Sequence, residues 1–322
     1  MGGFIVSIFF LIIGLVLLVK GADFFVEGSS SIAKRLNIPS MVIGLTLVAF
    51  GTSAPELAVS VSGSLNQANG IVFGNVVGSN IVNILFILGI SAFITPISIK
   101  SKTIFKEMPF AILTTVALML MVMDGLINGD PISVISRSEG WTLLLFFAIY
   151  LYSMVEISIM GKEESEEEIL VMPIPKSILF TIGGLAAVII GANLVVNAAT
   201  EIATQLGLSD TIIGLTVVAI GTSLPELITS VVAAKKGEND IAVGNIVGSC
   251  IFNVLLVMGI SGIIFPIDIA AENYADLWIL LAAMVVVVPM MYTSKKISRV
   301  EGVLMMLAYV AYSAFIVMRA MA

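Results

Sequence analysis

Apolar residues in this chain come in long blocks separated by short polar joints. The blocks cover residues 4–20, 40–65, 70–96, 105–125, 139–160, 177–198, 211–235, 240–264, 275–293 and 301–318. Most approach the roughly 20 residues that a helix needs to cross a bilayer's hydrocarbon. Strands of an outer-membrane barrel would alternate in polarity instead. The pattern predicts an all-α polytopic membrane protein with ten transmembrane helices. The first block follows Met1-Gly-Gly without a basic stretch or a small-residue cleavage site, so it reads as a spanning helix rather than a signal peptide.

Polar positions inside the blocks are few, and they recur. The run Met41–Val61 holds Gly51, Thr52, Ser53, Pro55 and Glu56. A carboxylate at that depth is costly and marks a functional site by default. Pro55 cannot donate to the carbonyl four residues back, which frees backbone oxygens near Gly51 and Thr52. A shift of 170 residues lays Gly221, Thr222, Ser223, Pro225 and Glu226 on this set, Gly244-Asn245 on Gly74-Asn75, Gly248-Ser249 on Gly78-Ser79, and Asn253 on Asn83. Residues 41–89 and 211–259 share 25 identities in 49 positions without a gap. The chain therefore divides into a five-helix repeat over 1–160, an acidic linker over 161–176 and a second five-helix repeat over 177–322. Five spans is an odd number, so the two copies enter the membrane inverted. Breaks are expected in helices 2, 3, 7 and 8, an arrangement found at the midplane of secondary transporters.

Charge then orients the spans. Only 11% of the 322 residues are charged, against about 25% in soluble domains, and the mean hydropathy is +1.13. Twelve of the fifteen Lys and Arg residues fall on one side of the ten-span layout, among them Lys34, Arg35, Lys100, Lys102, Lys235, Lys236, Lys295, Lys296 and Arg299. Basic residues favour the cytoplasmic side, which places both termini outside. The Glu-rich stretch 163–168 reads as a solvated cytoplasmic linker. Asp240 reads as a helix N-cap at its loop.

Composition narrows the chemistry. The chain has no histidine and one cysteine, Cys250, which removes imidazole ligation, Ser-His catalysis and multi-cysteine metal sites. Thr52 and Glu56 are four apart, on one face of a continuous helix, with Ser53 between them; Thr222, Ser223 and Glu226 repeat the pattern. Ser79 with Asn83, and Ser249 with Asn253, add hydroxyls and amides at the same spacing. A donor set made of hard oxygen suits Ca²⁺, Na⁺ or similar cations. Two glutamates brought together in low dielectric repel unless a cation or protons neutralise them. Gly74/Gly78 and Gly244/Gly248 read as close helix packing, while Asn75 and Asn245 fit either interhelical hydrogen bonds or ligation.

Gly51-Thr-Ser-Ala-Pro-Glu56 and Gly221-Thr-Ser-Leu-Pro-Glu226, each followed by Gly-Ser-x-x-x-Asn, resemble the alpha repeats of the cation/Ca²⁺ exchanger superfamily, and are most similar to those of prokaryotic Na⁺/Ca²⁺ exchangers. The resemblance implies Na⁺/Ca²⁺ antiport by alternating access across the plasma (inner) membrane of a prokaryote. It implies Ca²⁺ between Glu56 and Glu226, assisted by the carbonyls of Thr52 and Thr222. One Na⁺ site would use Ala49 carbonyl, Thr52, Ser79 and Glu56, and its mirror Ala219 carbonyl, Thr222, Ser249 and Glu226, with Asn83 and Asn253 flanking the centre. Ser53 and Ser223 complete the set. Several relatives carry Asp at the position of Asn253; Asn argues against K⁺ dependence and leaves two central carboxylates. Ca²⁺ and Na⁺ are then cargo, with no organic cofactor, nucleic acid or protein partner implied. H⁺/Ca²⁺ exchange is the alternative. A cation channel would pass Ca²⁺ without a counter-ion, and an intramembrane aspartyl protease would be expected to use an Asp dyad.

Overall fold

The computed structural model describes residues 2–128, 133–160, 171–206 and 219–321. The acidic stretch 163–168 and the first part of the expected span 211–235 lie outside them. Among the described residues, eight helices are long and apolar enough to cross a membrane, and a bent pair makes a ninth. In chain order these are α1 (Gly2–Leu36), the bent pair α2 (Ser40–Thr52) and α3 (Ala54–Leu65), α4 (Asn69–Ile94), α5 (Thr103–Val122), α6 (Arg137–Met160), and α7 (Ile174–Gln205). After a short α8 (Ala219–Gly221) come α9 (Leu224–Lys235), α10 (Asn239–Ile264), α11 (Tyr274–Ser294) and α12 (Arg299–Met321). α4 and α10 are the most buried, and the outer helices turn apolar side chains such as Leu145, Leu179 and Val310 outward, as lipid-facing surfaces do.

Two expectations change. The first and sixth blocks extend well past 4–20 and 177–198: at 35 and 32 residues, α1 and α7 would be about 50 Å long at 1.5 Å per residue. That exceeds the hydrocarbon thickness of about 30 Å, so each must tilt or protrude. Lys20 sits in the interior of α1. The blocks at 70–96 and 240–264 are also not broken. They continue through π-helical turns at Val82–Ile87 and Asn253–Val257, insertions that re-aim side chains without stopping the helix.

The helix break at Ser53 is real. α2 and α3 meet there at 47°, with Ser53 at φ −82°, ψ 6°. Pro55 then occupies the first turn of α3, where its missing N–H has no helical acceptor to serve.

Glycines set the helix contacts. Gly14, Gly21 and Gly28 recur every seven residues along α1 and meet Gly191, Gly184 and Thr181 of α7, which runs antiparallel to it. A Cβ on Gly184 would lie 2.5 Å from the Phe25 backbone nitrogen. Small residues let backbones approach this closely where lipid offers no hydrophobic drive to associate. The seam is tied at one end by Ser31 Oγ and Ser177 Oγ, 2.8 Å apart, and by the Met172 N–H donating to Ser31 Oγ at 2.8 Å.

The packing glycines of the repeat divide between copies. Gly244 packs on Gly44, and Gly248 on Leu45 and Ala49, so the expectation of close packing holds for the second copy. A Cβ on Gly74 or Gly78 would meet nothing within 4 Å among the described residues. The stretch equivalent to Gly44–Ala49 is 214–219, of which only Ala219 is described.

Short strands stitch the ends. β1 (Ile97–Ser98) pairs antiparallel with β4 (Lys296–Ile297), and β2 (Ser133–Ile135) with β3 (Ile267–Ile269). Each pair joins a connection of one copy to a connection of the other. Lys100 Nζ lies 2.7 Å from Asp240 Oδ2, and Lys236 Nζ 2.6 Å from Asp23 and 2.7 Å from Glu27. Asp240 is thus an ion-pair partner inside the first turn of α10 rather than its cap, which is Glu238.

The α1–α7 seam yields a prediction. Replacement Gly184→Leu should lower the melting temperature of the purified protein, by a loss of about 1–3 kcal/mol from overpacking. Gly183→Leu, whose Cβ meets nothing within 4 Å among the described residues, should leave it within error.

Candidate cation site

The two glutamates come together from different copies. Glu56 lies in the first turn of α3 and Glu226 in the first turn of α9, each 1% exposed. Ser53 Oγ donates to Glu226 Oε1 at 2.9 Å, and Ser223 Oγ donates to Glu56 Oε1 at 3.3 Å. Each serine sits at a helix break, three residues before its own glutamate, and serves the glutamate of the other copy. Ser79 on α4 also donates to Glu56 Oε1, at 3.5 Å, and Ser249 on α10 to Glu226 Oε1, at 3.3 Å.

Thr52 behaves differently from its sequence reading. The break at Ser53 removes the continuous helical face that would pair Thr52 with Glu56. Its hydroxyl crosses to Asn245 Oδ1 at 2.9 Å and also lies 3.4 Å from the Ala49 carbonyl. Ala49 is buried in the last turn of α2. Thr222 is half-buried in the turn between α8 and α9, and the backbone of Ala219 begins α8.

Asn75 and Asn245 resolve as connectors between helices. The Asn75 amide donates to the Glu56 carbonyl at 2.9 Å and to Ser60 Oγ at 2.8 Å. The Asn245 amide does the same for the Glu226 carbonyl, at 3.4 Å, and for Ser230 Oγ, at 2.9 Å. Ser60 and Ser230 were not singled out from the sequence, although both are identical across the 170-residue offset. Asn80 is a further addition: it donates to the Cys250 carbonyl at 3.1 Å and accepts from Asn253 Nδ2 at 3.1 Å. Cys250, which stands at the position equivalent to Asn80, is buried as a free thiol and lies 4.0 Å from the Asn80 carbonyl.

The remaining oxygens are informative. Among the described residues, Glu56 Oε2, Glu226 Oε2, Asn253 Oδ1 and both amide atoms of Asn83 are buried without a hydrogen-bond partner. A buried acceptor left alone costs about 1–3 kcal/mol, and more when charged. Asn83 and Asn253 lie in the paired π turns of α4 and α10, which are frequent at functional sites. Two carboxylates and two amide oxygens with free lone pairs match what a hard cation asks for. Sulfur and imidazole are missing from the set, which disfavours transition metals.

The sequence profile described as sodium/calcium exchanger protein matches residues 6–155 and 176–318. The chain belongs to the sodium/calcium exchanger family. Relatives include CaxA of Alkalimonas amylolytica, 40% identical and covering 96% of this chain and 98% of its own. The sodium/calcium exchanger MaX1 of Methanosarcina acetivorans is 36% identical, covering 95% and 97%. Among solved structures, the sodium-calcium exchanger NCX_Mj superposes with a TM-score of 0.83 at 34% identity, over 96% of this chain and 98% of that one. The protein is thus a multi-pass membrane antiporter of the exchanger family, with the NCX_Mj fold and with sodium and calcium as the ions of its class.

The connectors give a prediction for this site. Asn245→Ala removes the bonds to Glu226, Ser230 and Thr52 together. It should destabilise the protein by about 1–3 kcal/mol, the range for leaving buried partners unsatisfied. Thermal unfolding of the purified variant reads this, and an unchanged melting temperature would count against the connector role.

Proposed function

We propose that this exchanger couples Na⁺ entry to Ca²⁺ expulsion without K⁺, through one central site shared by its two copies. The observation that carries the reading is the reciprocal serine contact, which brings Glu56 and Glu226 together and leaves on each an outer carboxylate oxygen with no hydrogen-bond partner among the described residues. Their two negative charges match one Ca²⁺ or two Na⁺, so either cargo relieves the repulsion and removal of both restores it. Glu56 and Glu226 hold Ca²⁺, with the carbonyls of Thr52 and Thr222. Na⁺ takes Ala49 carbonyl, Thr52, Ser79 and Glu56 on one side, and Ala219 carbonyl, Thr222, Ser249 and Glu226 on the other. Asn83 and Asn253 flank the centre, and Ser53 and Ser223 hold the glutamates in place. Asn253 supplies an amide where a carboxylate would suit a further cation, which underlies the K⁺ independence.

The same reading makes the copies inverted five-helix repeats, over 1–160 and 177–322, giving ten spans in a prokaryotic inner membrane with both termini outside. The crossed strand pairs support it: β1 with β4 and β3 with β2 are the same contact seen from each copy. The link 161–176 would lie on the basic, cytoplasmic side.

Flux measurements test the coupling. In reconstituted vesicles, ⁴⁵Ca²⁺ uptake should require an outward Na⁺ gradient and be indifferent to K⁺. Equal uptake driven by a pH gradient without Na⁺ would reassign the protein as a proton exchanger, and uptake without any counter-ion gradient would make it a channel. Glu56→Gln and Glu226→Gln should each lower exchange at least about a hundredfold, as expected when a charged ligand of a buried site is lost.

Topology has its own test. Cys250, the one cysteine, is buried, so introduced cysteines can be labelled against a silent background. A membrane-impermeant maleimide applied to intact cells should label Asn66→Cys and spare Lys296→Cys. Labelling of both from the same side would refute the inverted arrangement.

A further inference from the structure

A cavity lined by neither glutamate opens on the lipid-facing side of α11 and α12. Its volume is about 380 Å³, and its wall includes Leu85, Ala282, Ala283, Met290, Leu304 and Ala308. On α11 the lining runs from Ile279 to Met290, about 16 Å of helix at 1.5 Å per residue. That is close to the depth of one leaflet's hydrocarbon, half of about 30 Å.

The groove has a local cause in sequence. α6 and α12 correspond through Gly140 with Gly302 and Tyr150 with Tyr312, and both start with the same Ser-x-x-Glu cap, Ser136–Glu139 and Ser298–Glu301. The offset of 162 that relates them pairs Phe146 with Ala308. On α5 and α11, the buried positions Met108, Thr115, Leu118 and Val122 correspond to Leu277, Met284, Val287 and Met291, which pairs Leu113 with Ala282. In the second copy, alanine thus stands at both places where the first copy carries a large side chain.

What lies at the end of the groove selects the occupant. Met290 is four residues from the end of α11 at Ser294, and Leu304 is five residues after the start of α12 at Arg299. The connection between them holds Lys295, Lys296 and Arg299, all exposed. Lys295 closes α11 in the left-handed conformation, at φ 49°. An apolar slot of acyl-chain length therefore ends at three cations at the membrane surface, and basic pockets between spanning helices hold anionic headgroups.

We propose that this groove binds an anionic phospholipid from the leaflet on the basic side, with an acyl chain along Ala282, Ala283 and Ala308 and its phosphate at Lys295, Lys296 and Arg299. The site is independent of Glu56 and Glu226, and its failure would leave the transport reading intact.

Native mass spectrometry of the delipidated, full-length protein tests it, with dioleoyl phosphatidylglycerol and dioleoyl phosphatidylcholine as probes. Phosphatidylglycerol should be retained at least about tenfold better than phosphatidylcholine, given the attraction of each basic residue for an anionic headgroup. The triple variant K295Q/K296Q/R299Q should erase that preference, and A308F or A282L, which restore the bulk of the first copy, should lower retention of both lipids. Two separate filling variants guard against one of them failing to fold. Equal retention of the two lipids by the unmodified protein would overturn the proposal, as would unchanged phosphatidylglycerol retention in both filling variants. Millimolar glycerol phosphate should not displace the lipid; displacement by the headgroup alone would show that the groove contributes nothing.

Discussion

Two carboxylates held near one another inside a membrane protein are the constraint around which this molecule is built. Among the described residues, neither Glu56 nor Glu226 has a Lys or Arg as a hydrogen-bond partner, and serine hydroxyls can offset only part of the desolvation. The arrangement holds because each glutamate is bound by both copies at once. Ser53 and Ser79 come from the first copy and Ser223 and Ser249 from the second, so the copies cannot separate without unpairing both acids. The asparagines fix the backbone beneath: Asn75 and Asn245 grip the carbonyls of Glu56 and Glu226 themselves.

Much of this was legible in the sequence because the repeat left it there twice. The 170-residue offset located both glutamates and their serines, the glycines of the α2–α10 contact, and the asparagines of the two π turns. Ser60 and Ser230 carried the same signal and were passed over, since a serine in an apolar span attracts notice only when a carboxylate stands beside it. The continuous face assumed for Thr52 and Glu56 was misleading for a definite reason. Helical spacing holds only within one helix, and Ser53 ends one and begins another. Crossing hydrogen bonds such as Thr52 to Asn245 join residues 193 apart, and no local spacing encodes them.

Helix length was the other blind spot. Hydropathy marks where a chain can be buried in lipid and says little about where a helix stops. α1 continues through Asp23 and Glu27, two charges that would end a span on paper, because Lys236 meets both at the end of α9. The π turns were equally invisible: Val82–Ile87 and Asn253–Val257 read as ordinary apolar helix, and only the placement of Asn83 and Asn253 reveals what the extra residue does.

The contact between α2 and α10 has a consequence for how such a junction could ever open. At Gly44 and Gly244 the two main chains touch with no side chain between them; a Cβ on Gly244 would fall 2.9 Å from the Gly44 Cα. A contact made by a phenyl ring or a leucine can open by a fast rotamer hop. This one has nothing to swing. Parting it requires one helix to shift bodily against another, a collective movement on the microsecond-to-millisecond scale. That requirement comes from the absence of two side chains.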